Sequence, residues 1–127
     1  MMTLFDTDVL IWALRGNKKA LDAVDAAEDR GISAVTYMEL LRGAKDKRDF
    51  ASTKRFVRLG GFSIFPITEA ITERAVAIIE ALALSNAIAP SDALVFATAL
   101  QGGFTLCSGN YRHFKDIAGL ESDIFRP

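Results

Sequence analysis

Residues Met2-Thr3-Leu4-Phe5 form a short apolar run that stops at Asp6-Thr7-Asp8, and this opening restricts the fold more than any other stretch. In a chain where extended and helical patterns alternate, so short a run of bulky residues reads as a buried strand. Strands buried on both faces are characteristically parallel. Asp6 then stands at the strand's carboxyl end, the edge where open α/β sheets hold their ligands.

The later punctuation extends the pattern. Residues 9–14 make a short apolar turn ended by Gly16, and Asn17 caps a helix whose apolar positions Ala20, Leu21, Val24 and Ala27 recur at helical spacing before Gly31. A second strand is expected over 32–35. Thr36 then opens a helix that Gly43 ends, a third strand over 62–65 is closed by Pro66, and Thr68 caps a helix striped by Ile71, Ala75, Ile78, Ile79 and Leu82. From Pro90-Ser91-Asp92 onward, Ala93 to Leu100 leave the next helix almost no polar face, so it must be buried nearly all round. Gly102-Gly103 stops it, a fourth strand follows over 104–107, and a last one is expected near Ile124 and Phe125. This order predicts an α/β fold: a three-layer α/β/α sandwich with a mostly parallel central sheet of four to five strands. Trp12 and the phenylalanines are expected in the core.

At 127 residues with no Pro/Gly/Ser-rich linker, one domain over 1–127 is expected. No apolar run approaches the ~20 residues that cross a bilayer, and no basic leader precedes the first strand, so the expectation is a soluble, cytoplasmic protein without membrane association. The single cysteine, Cys107, excludes an internal disulfide and a multi-cysteine zinc site. A net charge of −1 offers no global argument for nucleic acid. Between residues 42 and 58, however, Arg42, Lys45, Lys47, Arg48, Lys54, Arg55 and Arg58 face only Asp46 and Asp49, a local excess of +5. That stretch reads equally as a solvated helix face or as a patch that tracks phosphates.

Four positions fall at one edge of such a sheet: Asp6 after strand one, Glu39 after strand two, Asp92 in the first turn of the buried helix, and Asn110 beyond strand four. Each has a local explanation. Thr36-Tyr37-Met38-Glu39 is a capping box, Asp92 suits a helix dipole, Asn110 suits a turn, and Asp6-Thr7-Asp8 can begin a helix. Together they describe three carboxylates in one crevice, which repel one another unless a cation or a proton intervenes. Oxygen donors without nearby His or Cys select Mg²⁺ or Mn²⁺, and the evident use is phosphoryl chemistry. A ribonuclease built on two histidines is excluded because His113 is the only one; it reads as a surface or supporting residue. No P-loop and no G-x-S-x-G elbow is present.

At this point the chain resembles the PIN domain family, and most closely its VapC-type toxins. The matching pieces are Phe5-Asp6-Thr7-Asp8-Val9-Leu10-Ile11, Ile32-Ser33-Ala34-Val35-Thr36-Tyr37-Met38-Glu39-Leu40 with Gly43, Ser91-Asp92-Ala93-Leu94, and Ser108-Gly109-Asn110 with His113-Phe114. The resemblance implies that Asp6, Glu39 and Asp92 are acidic metal ligands and that Asn110 takes a fourth position filled by Asp or Asn. Ser108 would support them by hydrogen bonding. Asp8 falls where Asn is common, and Asp116 lies close enough to stand in for the charge missing at Asn110. The implied activity is a Mg²⁺-dependent endoribonuclease, with Mn²⁺ as a substitute, that cuts structured RNA such as tRNA or rRNA and inhibits translation. A homodimer and a cognate antitoxin are implied as partners. Arg42, Lys45, Lys47, Arg48 and Arg112 are the candidates for holding the RNA backbone. Two other families leave alternatives open. Asp6-Thr7-Asp8-Val9 also looks like the nucleophile loop of haloacid-dehalogenase-type phosphatases, with Asp6 as nucleophile. A receiver module is similarly acidic, though Lys115 is a poor match for its lysine. A non-catalytic PIN binding scaffold is the remaining alternative.

Overall fold

The computed structural model describes residues 1–127. Five strands, β1 (Met2–Phe5), β2 (Asp29–Ser33), β3 (Ser63–Phe65), β4 (Thr105–Ser108) and β5 (Ser122–Ile124), pair in the order β3-β2-β1-β4-β5. Every pairing is parallel. The helices are α1 (Thr7–Leu14), α2 (Lys18–Ala26), α3 (Ala34–Arg42), α4 (Lys47–Leu59), α5 (Glu69–Asn86), α6 (Pro90–Gly102) and the short α7 (Tyr111–Phe114).

The pleat sends neighbouring residues to opposite faces, and each face has its own core. Leu4 and Leu106 join Ile71, Ala75, Ile78, Val95 and Phe96 beneath α5 and α6. Phe5 and Cys107 join Val9, Leu10, Val24, Val57 and Phe62 beneath α1, α2 and α4. Two covered faces make the three layers, with helix α6 contributing six buried residues because its sequence offers no polar side. Burial pushes the Cys107 thiol up to about 12, so the cysteine packs as a small hydrophobe. No helix is long and apolar enough to cross a membrane.

Several boundaries differ from expectation. Strand β2 ends at Ser33, whose hydroxyl accepts the Val35 N–H at 3.1 Å and starts α3 ahead of Thr36. Thr36 is therefore a helical residue, fully buried, and the capping box with Glu39 does not form. Gly31 is a strand residue rather than a helix stop: a Cβ there would meet the Phe65 ring at 2.6 Å. Asn17 and Thr68 do cap their helices, and Gly103 closes α6 in the left-handed region at φ 66°. Trp12 is 37% exposed on α1, with the Arg15 guanidinium 5.7 Å from its ring centre, and Phe50 is exposed on α4. Neither belongs to the core, because the outer faces of α1 and α4 have no further layer over them.

Candidate active site

Strands β1 and β4 are neighbours whose connections leave in different directions, toward α1 and toward α7, and a crevice at such a switch point is where α/β sheets bind ligands. Asp6 ends β1 and Ser108 ends β4. The Ser108 hydroxyl donates to Asp6 Oδ2 at 2.7 Å and accepts the Asn110 N–H at 3.0 Å. Asp6 is also the N-cap of α1, its Oδ1 accepting the Thr7 N–H at 2.8 Å. The cap fixes the Asp6 carboxylate at the carboxyl end of β1, beside Ser108.

Asp92 lies in the first turn of α6 but makes no hydrogen bond to that helix's own N–H groups. Its Oδ2 instead faces Asn110 Nδ2 at 3.5 Å and His113 Nδ1 at 3.6 Å. Glu39, from the middle of α3, is exposed, and the Thr7 hydroxyl donates to its Oε1 at 2.7 Å while lying 3.2 Å from the Thr36 hydroxyl. Asp8 turns back on the β4–α7 turn, its Oδ2 accepting the Gly109 N–H at 2.9 Å.

The electrostatics follow from burial and mutual repulsion. Burial, with the Asp8 charge beside it, pushes the Asp6 carboxyl up to about 7, against the opposing pull of the Ser108 hydrogen bond. Asp8 is raised by burial. Asp92 is raised mainly by burial, with Glu39 adding to the effect and His113 opposing it. No lysine or arginine forms an ion pair with any of these acids; His113 beside Asp92 is the only basic side chain within 4.0 Å of one.

Oxygen donors dominate the crevice, which suits a hard divalent cation. The acids do not form a closed cage, since no three Asp, Glu, His or Cys side chains are arranged to hold a metal between them. The expected ligand trio of Asp6, Glu39 and Asp92 is therefore not gathered into a ready-made site, and it is the oxygen-only donor set that suits Mg²⁺, an ion that takes one or two carboxylates and keeps several waters.

The remaining candidates separate. Asp116 does not stand in for a charge at Asn110: its Oδ2 accepts from Asn86 Nδ2 at 3.2 Å, and it borders a cleft with Arg74, Ile78, Leu82 and Leu100 between α5 and α6. The single turn of α7 carries it away from β4. Arg112 is exposed two residues beyond Asn110. Lys45 lines a groove of about 400 Å³ that also holds Glu39, Arg15, Ile11 and Leu40, so the start of the basic stretch and Glu39 share one surface. Asp46 and Asp49 are used at the α4 start, Asp46 accepting the Asp49 N–H at 2.8 Å and Asp49 the Lys45 N–H at 3.0 Å. Arg42, Lys47 and Arg48 remain exposed. Thr7 and Gly109 are parts of the site, and Arg15 part of the groove beside Glu39, for which the sequence carries no separate signal.

A family model described as PIN domain matches residues 3–120. Among solved structures, a chain of a toxin–antitoxin complex from Klebsiella pneumoniae is 32% identical, with 93% of this chain and 94% of that one covered and a TM-score of 0.79. VapBC2 from Rickettsia felis bound to a promoter DNA fragment is 19% identical over 99% of this chain and 100% of that one, at 0.84. The sarcin–ricin loop cleaving toxin VapC20 of Mycobacterium tuberculosis is 18% identical over 82% and 86%, at 0.63. The last two share the fold. No curated protein matches the sequence.

Proposed function

The chain belongs to the PIN domain family, and on that premise we propose that it is the toxin of a toxin–antitoxin pair, a divalent-cation-dependent endoribonuclease that cuts structured RNA. The observation that carries this reading is the crevice at the β1–β4 junction, where Asp6, Asp92 and Asn110 meet with Glu39 at the rim and no lysine or arginine neutralises them. Crowded carboxylates of this kind call for a cation.

Asp6, Asp92 and Glu39 would hold Mg²⁺ or Mn²⁺, with Asn110 as a neutral oxygen donor. When bound, the cation supplies positive charge against the charge that develops on a phosphodiester and acidifies nearby water. Ser108 and Thr7 orient the Asp6 and Glu39 carboxylates through their hydroxyl hydrogen bonds. The Asn110 amide donates to Asp92 from its other side at 3.5 Å, and His113 Nδ1 lies 3.6 Å from the same oxygen without a hydrogen bond. Water attacks phosphorus, the P–O3′ bond breaks, and the products carry a 5′-phosphate and a 3′-hydroxyl. No pair of histidines is available to activate the 2′-hydroxyl instead.

The groove beside Glu39, lined by Arg15 and Lys45, together with the exposed Arg42, Lys47, Arg48 and Arg112, supports an RNA backbone path. The cleavage of the sarcin–ricin loop by VapC20 supports ribosomal RNA as a substrate class, alongside tRNA. The Klebsiella pneumoniae complex supports a cognate antitoxin as partner, and the homodimer belongs to the same reading. The test is total RNA incubated with antitoxin-free protein. Discrete cuts that need Mg²⁺ or Mn²⁺, stop with EDTA and are absent for Asp92→Asn support the proposal; intact RNA under all conditions rejects it in favour of a binding scaffold.

A further inference from the structure

The turn at residues 108–110 brings two groups to the acids: the Ser108 hydroxyl to Asp6 and the Asn110 amide to Asp92. Its middle residue is held from the opposite side of the crevice. Asp8 Oδ2 accepts the Gly109 N–H at 2.9 Å, and Asp8 Oδ1 accepts the Val9 N–H at 2.8 Å, so each carboxylate oxygen is engaged by backbone. Gly109 has no positive φ; it is needed for space. A Cβ there would lie 2.7 Å from Asp8 Oδ2 and 3.1 Å from the Phe125 carbonyl oxygen, and that carbonyl belongs to a segment whose own N–H bonds Ser108 O at 2.9 Å. Residue 109 is thus flanked by a carboxylate and a backbone carbonyl, and only a glycine lets both approach.

We infer that Asp8 is a positioning residue and not a ligand: its carboxylate clamps the Gly109 N–H and so keeps Ser108 and Asn110 in register with Asp6 and Asp92. The clamp stands on the contacts of the turn itself; its effect on cation affinity rests on the reading above. Groups that orient metal ligands change affinity about 10- to 100-fold when removed.

Three variants separate the possibilities. Asp8→Ala removes the acceptor. Asp8→Asn keeps an oxygen acceptor without the charge, and Gly109→Ala displaces the carboxylate while leaving it ionisable. Hydrogen exchange of the Gly109 and Asn110 amides in metal-free protein is read first, then Mn²⁺ affinity by calorimetry. The clamp predicts that Gly109 exchange in Asp8→Ala rises on the order of 10- to 100-fold, as for a lost hydrogen bond to a charged group. It predicts that Asp8→Ala and Gly109→Ala both weaken Mn²⁺ about 10- to 100-fold, while Asp8→Asn loses less than about tenfold. Equal loss in Asp8→Asn and Asp8→Ala with Gly109→Ala unaffected would make Asp8 a direct ligand and overturn the inference. So would unchanged amide exchange and Mn²⁺ affinity in Asp8→Ala. A wild-type protein that binds no Mn²⁺ would count against the metal reading, and the exchange data would still decide the clamp.

Discussion

Replacing Asp6 by asparagine should make the metal-free protein more stable while abolishing its chemistry. Asp6 is the only buried acid in the protein, and its carboxyl is raised from the ordinary 3.8 to about 7 by burial and then by the Asp8 charge. For an acid, a raised value means that the folded state holds the proton more tightly than the unfolded chain. Stability therefore falls as pH rises from about 4 to about 7 and is lowest above that window. At about 1.4 kcal/mol per pH unit, ionised Asp6 costs the fold about 4 kcal/mol at pH 8. Asparagine avoids this cost and remains a good N-cap, accepting the Thr7 N–H. Its Nδ2 would have to donate to Ser108 Oγ, which already accepts from Asn110, and that rearrangement costs about 1–2 kcal/mol. The net gain should be about 2–3 kcal/mol at pH 8 in EDTA and close to zero at pH 5, where holding the proton that the unfolded chain has lost costs the wild type only about 1.6 kcal/mol, about what the rearrangement costs the variant. Urea denaturation followed by circular dichroism at both pH values measures the difference. An Asp6→Asn protein no more stable than wild type at pH 8 would refute the electrostatic account of the crevice.

Mn²⁺ or Mg²⁺ should raise the wild-type melting temperature at pH 8, with a gain of about 2.7 kcal/mol at a hundredfold excess over Kd, and Asp92→Asn should blunt the rise; differential scanning fluorimetry with an EDTA control reads this. Ser108→Ala should destabilise by about 1–3 kcal/mol, because it strips a hydrogen bond from buried Asp6 and leaves the Asn110 N–H without its acceptor; chemical denaturation checks it. Lys45→Ala with Arg48→Ala should weaken binding of an uncleaved RNA and flatten its salt dependence by about one unit of slope per lost phosphate contact. Unchanged affinity and slope in filter binding would leave the α3–α4 stretch a solvated surface.

How far the sequence reached depended on whether a residue's role is set by its own strand end or by a distant partner. Asp6, Asp92 and Asn110 were legible because apolar runs and helix starts locate them, and parallel pairing puts those ends on one edge. Glu39 was placed at that edge for a partly wrong reason: Ser33 starts α3 before Thr36, so Glu39 lies in the helix's middle and meets Thr7 from another element. Asp116 shows the opposite failure. Six residues from Asn110 in sequence, it is turned by α7 toward Asn86, a contact between segments that no local pattern encodes. Trp12 looked like core because composition makes a lone tryptophan apolar first, yet nothing covers the outer face of α1. The clamp between Asp8 and Gly109 joins positions 101 residues apart and needed coordinates.

The chemistry of the cut ends tests the central claim most directly. RNA cleaved by the Mn²⁺-loaded protein should carry 5′-phosphate and 3′-hydroxyl termini, ligatable without prior kinase treatment, and the same RNA with EDTA or with Asp92→Asn should stay whole. Termini bearing a 2′,3′-cyclic phosphate, or cuts that persist in EDTA, would contradict hydrolysis at an acid-bound cation.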